Sequence, residues 1–146
     1  MECKHYRTAG RAALVDYLMK QTADKPESAE AIYLGLSAGA KTPGRSSVYR
    51  QLGELCEAGT VRRFRTAPEG DGFVYQYVGA GEHCDSHFHL QCLGCGKVEH
   101  LHCDCADTLR EHLMAAHGFA VNSGCSVLYG LCAACAGKEA RHGGRA

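Results

Sequence analysis

Two Cys-x-x-Cys pairs, Cys92/Cys95 and Cys132/Cys135, stand 36 residues apart in the second half of the chain. Each pair sets two thiols on one tight turn, and two such turns brought together supply the four sulfurs that tetrahedral Zn²⁺ takes in a closed structural site. Zinc ribbons close over about a dozen to twenty residues. A longer interval must hold a strand and a helix, so here the metal fastens a larger domain; four buried thiols without metal is the plainer alternative. Just upstream, His87 and His89 alternate along a stretch of strand character, which aims both imidazoles to one side and Phe88 to the other. His100 lies on a second such stretch. Glu82, His83 and Cys84 offer a carboxylate, an imidazole and a thiol to complete a second metal site. His102, Cys103 and Cys105 form a further His-Cys-Asp-Cys cluster, which reads as another metal site, a redox-active thiol or an exposed loop. Cys3 and Cys125 are isolated. Cys56 falls on the apolar face of its expected helix and reads as core.

Hydrophobic spacing predicts the elements that must position these side chains. Leu14, Val15, Leu18 and Met19 recur at helical intervals after Arg11, and Ala29, Ile32, Tyr33 and Leu36 repeat the pattern after Pro26-Glu27-Ser28. Thr42-Pro43-Gly44 breaks the chain. A third helix then starts with Ser46 as a good N-cap, runs Val48, Leu52 and Leu55 down one face and ends at Gly59. Arg45, Tyr49, Arg50 and Gln51 lie off that stripe. Val61–Arg65 and Phe73–Val78, joined by a Gly/Pro-containing turn, read as a β-hairpin. Helices followed by such a hairpin make a winged helix-turn-helix over residues 1–79, whose last helix enters the major groove while the wing follows the backbone. Gly79-Ala80-Gly81 reads as a hinge. Beyond it, Phe88–Cys92 and Lys97–Leu101 flank the first Cys turn as strands. Residues 106–117 form a helix with Leu109, Leu113, Met114 and Ala116 apolar, ended by Gly118. Phe119–Val121 and Ser126–Gly130 supply more strand. The fold class is α+β, with residues 80–137 as the second domain and a polar, frayed tail from Gly137, flexible over 138–146.

At 45% apolar and 22% charged, the 146 residues are ordinary globular material. No stretch approaches a membrane span. The apolar positions of the first twenty residues are interrupted by Arg11, Asp16 and Tyr17, unlike a signal peptide, so a cytoplasmic protein with reduced thiols is expected rather than a secreted disulfide framework. Charge is unevenly placed: residues 1–65 hold 11 Lys/Arg and 7 Asp/Glu, net +4, and the remainder is net −4. Eight of the nine His and eight of the ten Cys follow residue 80. One half is therefore suited to meet a polyanion and the other to hold metal.

In order along the chain, these residues resemble the ferric uptake regulator family. Thr8-Ala9-Gly10-Arg11 resembles the family's first-helix T-x-x-R, and Ser47-Val48-Tyr49-Arg50-Gln51-Leu52 its recognition-helix [ST]-V-Y-R-x-L. His87 through Val98 resembles the H-x-H-L-x-C-x-x-C-G-x-V core. Gly118-Phe119 and Tyr129–Cys135 resemble the later G-F and [YF]-G-x-C-x-x-C. The ordered set is specific where each motif alone is weak.

The resemblance implies a metal-responsive transcriptional repressor, most like the zinc-sensing branch. It would be a homodimer with a C-terminal dimerisation domain, binding AT-rich palindromic operators of metal-uptake genes when metal near the hinge locks the dimer. One structural zinc per chain would sit on Cys92, Cys95, Cys132 and Cys135. A second, regulatory metal, also zinc, would use His87, His89 and His100, the last at a position where relatives carry an acid, with Glu82, Cys84 or His83 completing it. The family's helix-2 His is replaced by Lys25 or Pro26, and Ser86, Phe88 and Gly124 occupy places where an additional site needs ligands. Donors rich in nitrogen and sulfur suit Zn²⁺ better than Fe²⁺ or Mn²⁺. Arg45, Tyr49 and Arg50 would enter the groove, with Tyr49 against a thymine methyl, while Arg11, Arg62, Arg63 and Arg65 hold phosphates. Two rival readings are an iron or peroxide sensor of the same family and a zinc metalloenzyme using His87, His89 and His100. The enzyme is disfavoured because there is no H-E-x-x-H and Glu99 alternates away from His100.

Overall fold

The structure, a computed structural model, describes residues 9–21, 25–39, 42–79 and 87–142. Its described residues divide into two compact units, one holding the three N-terminal helices and both strands of the wing hairpin, the other residues 87–142 together with 67–69 of the hairpin turn.

In the first unit, α1 (Ala9–Lys20), α2 (Ala29–Leu36) and α3 (Arg45–Glu57) each place apolar residues three or four apart on one face. Leu14 and Leu18, Ile32 and Leu36, and Val48, Leu52 and Leu55 meet in one core together with Val61. Each such fully buried side chain contributes roughly 1.5–3 kcal/mol. Ser28 caps α2, its hydroxyl accepting from the Ala31 N–H at 3.1 Å. The start of α3 corrects the expected Ser46 cap: the Val48 N–H donates to the Gly44 carbonyl at 3.1 Å, so the first turn closes on Gly44 and Ser46 lies inside it. Gly59, at φ 74°, ends the helix. Gln51, expected off the apolar stripe, is instead buried.

The wing hairpin pairs β2 (Val61–Arg65) with β3 (Phe73–Tyr77), Arg63 opposite Tyr75. The sequence reading missed a third strand, β1 (Glu27–Ser28), which pairs along the other edge of β3. Two residues are too few to show alternation, and the same Ser28 was legible only as a helix cap.

The second unit is a three-stranded sheet in the order β5-β4-β6, made of β4 (Phe88–Cys92), β5 (Val98–Leu101) and β6 (Val127–Gly130). β4 and β5 are an antiparallel hairpin; β4 and β6 are parallel. The parallel pairing requires a crossover, supplied by α4 (Asp104–His117). Gly118 closes α4 at φ 60°, with the Phe119 N–H reaching back to the Leu113 carbonyl at 3.1 Å. That reversal corrects the expected strand at Phe119–Val121, which is irregular. A final helix, α5 (Ala133–His142), also corrects the expectation of a frayed tail beginning at Gly137.

Candidate metal centre and nucleic-acid face

Because β4 and β6 run parallel with Cys92 opposite Gly130, both strands finish at the same edge of the sheet, and both Cys-x-x-Cys turns emerge there. The first turn is closed by the Gly96 N–H donating to the Cys92 carbonyl at 2.9 Å and the Cys92 N–H donating to Lys97 at 2.9 Å. Gly96 sits at φ 74°, a left-handed conformation that costs glycine little. The Leu93 N–H donates to the Gly130 carbonyl at 2.8 Å, tying this turn to the second strand. The other turn opens α5, where the Cys135 and Ala136 N–H groups both donate to the Cys132 carbonyl, at 3.0 and 2.9 Å.

The four Sγ atoms all lie within 4.8 Å of one another, and those of Cys95 and Cys132 are 3.9 Å apart. Sulfurs at about 2.3 Å from a tetrahedral zinc are separated by about 3.8 Å. A disulfide would need about 2.05 Å, and all four are free thiols. The Cys132 N–H points at the Cys92 Sγ from 3.3 Å. That donor, with the N–H of Cys95 next, pulls the Cys92 thiol down to about 6. Cys135 is pushed up to about 12, chiefly by its hydrogen bonds with the Cys132 and then the Cys92 sulfur. Crowded sulfurs cannot all ionise without a cation among them, and these four fit one.

Next to the first turn, the hairpin register sets His89 opposite His100, their ring centroids 4.7 Å apart. Carried one residue outward, the same register brings His87 against His102, centroids 4.3 Å apart, and His102 stacks on His100 at 5.9 Å. His89 is fully buried, and Phe88 is buried beside it on the alternate position. The structure thus unites the three histidines singled out by sequence and adds His102, whose signal was present: His100 and His102 repeat the i, i+2 spacing of His87 and His89 on the partner strand. Glu99, on the opposite face, is ion-paired with Lys97. Glu82, His83 and Cys84 lie outside the described residues. Cys103 and Cys105 are exposed at the start of α4. Cys56 is half-buried, and burial pushes its thiol up, as a core residue should be. Among the described residues, only the four cysteines have three or more donor atoms already gathered. The imidazoles are neighbours whose donor atoms are not gathered.

On α3, Arg45, Tyr49 and Arg50 are exposed. Arg45 pairs with Glu30 at 2.6 Å and lies 5.3 Å over the Tyr33 ring. Arg50 pairs with Glu54 at 2.6 Å. Exposed pairs of this kind contribute at most about 1 kcal/mol, so either guanidinium can exchange its carboxylate for a phosphate or a base edge at small cost. Arg11 differs: its side chain is only 15% exposed and donates to Glu54 at 2.6 Å. That pair ties α1 to α3. On the wing, Arg63 and Arg65 are exposed and lie over the Phe73 ring at 4.3 and 5.6 Å.

A winged helix-turn-helix followed by an α/β unit with a four-thiol centre defines a metal-binding transcriptional regulator. The model of the ferric uptake regulator family matches residues 4–127. The ferric uptake regulation protein of Escherichia coli (strain K12) is 33% identical over 120 residues, covering 81% of this chain and 77% of that protein. The structure of the Vibrio cholerae ferric uptake regulator aligns with a TM-score of 0.61 at 28% identity, covering 86% of this chain and 90% of the other. A zinc uptake regulator complexed with zinc and DNA aligns with a TM-score of 0.61 at 25% identity, over 91% and 85% of the two chains. The chain belongs to the ferric uptake regulator family of metal-responsive, DNA-binding transcriptional regulators and is not an enzyme.

Proposed function

We propose that the chain is a homodimeric, zinc-responsive repressor that acts in the cytoplasm on AT-rich palindromic operators of metal-uptake genes. One zinc per chain is held by Cys92, Cys95, Cys132 and Cys135 and stays in place. A second zinc, held by His87, His89 and His100 with a donor from Glu82, Cys84 or His83, controls DNA binding. Arg45, Tyr49 and Arg50 read the groove. The observation that carries this reading is the contrast between two adjoining donor sets. The thiols are gathered at near-ligand distance, whereas the imidazoles are adjacent but not gathered. A preassembled site retains its ion, and a site assembled by its ion can report on it, since only a ligand with different affinity for two states shifts their balance. Nitrogen and sulfur donors favour zinc over iron or manganese.

Homodimer formation is supported by apolar side chains left uncovered on the second unit, Leu109 and Met114 on α4 and Phe119 and Leu128 beyond it. The iron reading has in its favour the names of similar proteins, the ferric uptake regulation protein of Escherichia coli and the Vibrio cholerae ferric uptake regulator.

Metal analysis before and after mild chelation, with operator affinity measured at each step, tests the proposal. One zinc per chain should resist chelation, a second should leave, and operator affinity should fall at least about tenfold and return with Zn²⁺. Affinity indifferent to the second metal overturns the proposal. Recovery at lower free Fe²⁺ than Zn²⁺ under anaerobic conditions transfers it to iron.

A further inference from the structure

We propose that His102 is a direct ligand of the regulatory metal, so that the β4–β5 hairpin presents four imidazoles, His87, His89, His100 and His102, as the principal donor face. The inference rests on the reading of this hairpin as the regulatory site and assigns to His102, from the hairpin's own residues, the fourth position otherwise given to Glu82, Cys84 or His83.

The antiparallel register places Phe88 opposite Leu101 and His89 opposite His100. Side chains two apart on a strand share a face, and directly opposed residues share it too. His87 and His102 therefore form the next pair of the same ladder, and their rings meet edge to face at 4.3 Å. The inner pair, His89 and His100, meets in the same manner at 4.7 Å, and His100 and His102 join the two pairs with planes 19° apart. Imidazoles bound through nitrogen at about 2.0 Å to a tetrahedral zinc have ring centroids about 5 Å apart. The three observed separations lie on either side of that value, so these rings are already spaced as ligands of one ion are.

The outer pair also opens to solvent. His87 and His102 line a cleft of about 340 Å³ together with Cys103, Asp104, Asp107 and Arg110. Asp107 is ion-paired with Arg110 in the same turn of α4. This opening gives a cation access to the outer pair, His87 and His102, beside the carboxylate of Asp104. A solvated surface histidine needs no partner ring, yet His102 touches two. With imidazole in place of carboxylate donors, the site suits Zn²⁺ and its spectroscopic substitute Co²⁺ over Mn²⁺.

The test is Co²⁺ and Zn²⁺ titration of the full chain carrying the tightly held first zinc, for the native protein and for His102→Ala, His102→Cys and His87→Ala. His102→Ala should weaken the second metal at least about tenfold while one zinc per chain and the folded-state circular dichroism are unchanged. His102→Cys, which restores a zinc donor, should recover most of the affinity and add a thiolate charge-transfer band to the Co²⁺ spectrum. If His87→Ala abolishes second-metal binding but His102→Ala leaves it at the native value, His102 is not a ligand and the regulatory reading survives. If both variants bind the second metal like the native chain, the hairpin is not the regulatory site and both ideas fall.

Discussion

Around the thiol centre, single residues are constrained by space as much as by donor chemistry. A Cβ at Gly94, inside the first Cys-x-x-Cys turn, would stand 2.9 Å from both the Cβ and the Sγ of Cys135, with a Leu131 methyl at 3.4 Å. A long side chain could swing away, but Cys135 is short and its sulfur belongs to the quartet. Gly94→Ala should therefore cost about 1–3 kcal/mol, the usual range for overpacking, and speed zinc loss to a competing chelator. Gly53 in α3 has nothing within 4 Å of the same hypothetical atom, so Gly53→Ala should raise stability by about 0.5–1 kcal/mol through helix propensity. Urea unfolding of the two variants checks the opposite signs; a Gly94→Ala protein as stable and as zinc-retentive as the native one would show that the turn yields. The cysteine quartet itself was legible in the sequence because metal-ligand spacing is encoded locally on each turn. The crowding of Gly94 was not, since the atom it would strike arrives from a residue 41 positions along the chain.

At the level of elements, α1 is tied to the start of α2 by a half-buried phenol. The Tyr17 hydroxyl donates to Glu27 at 2.8 Å, on β1, and the absence of a side chain at Gly35 makes room for the ring, since a Cβ there would fall on it. Burial first, and the Glu27 carboxylate second, push the Tyr17 phenol up to about 12. The folded state thus holds this proton more tightly than the unfolded chain, whose phenol titrates near 10. Stability from this contact is complete below pH 10 and is lost as pH rises toward 12. Unfolding free energy measured across that window should fall more steeply in the native chain than in Tyr17→Phe; parallel curves would remove Tyr17 from the alkaline transition. The long periodic elements, α1 to α4 and the β4–β5 hairpin, were legible because burial of one face imposes period. β1, α5 and the irregular Phe119–Val121 were not. A two-residue strand exists only through its partner, α5 is a polar helix whose start is the second Cys turn, and Phe119 is spent on closing α4. The buried Gln51 escaped for the same reason as β1: polarity argues for the surface until a neighbouring element covers it.

For the whole molecule, the charge division of the chain separates the partners. The net +4 of residues 1–65 and the exposed guanidiniums on α3 and the wing belong to the DNA-facing unit, while residues 80–146, with 5 Lys/Arg and 7 Asp/Glu, are net −2 and offer phosphates no excess of positive charge. A winged helix reading one half-site captures few phosphates, and a palindrome is matched by two copies of the chain. Salt dependence then counts copies. Log affinity falls with log salt by about 0.9 per phosphate neutralised on duplex DNA, so a dimer engaging both half-sites should show about twice the slope of a single chain. Leu109 on α4 is 40% exposed in the single chain, and a charge there disturbs no core of the second unit but is costly to bury against another copy. Leu109→Glu should sediment as a folded monomer with both metals bound, lose most operator affinity, and retain roughly half the native salt slope. A dimeric Leu109→Glu protein with the native slope would move the dimer contact away from α4. A monomer with the native slope would mean that one chain makes all the phosphate contacts, and the proposed palindromic operator would lose its support.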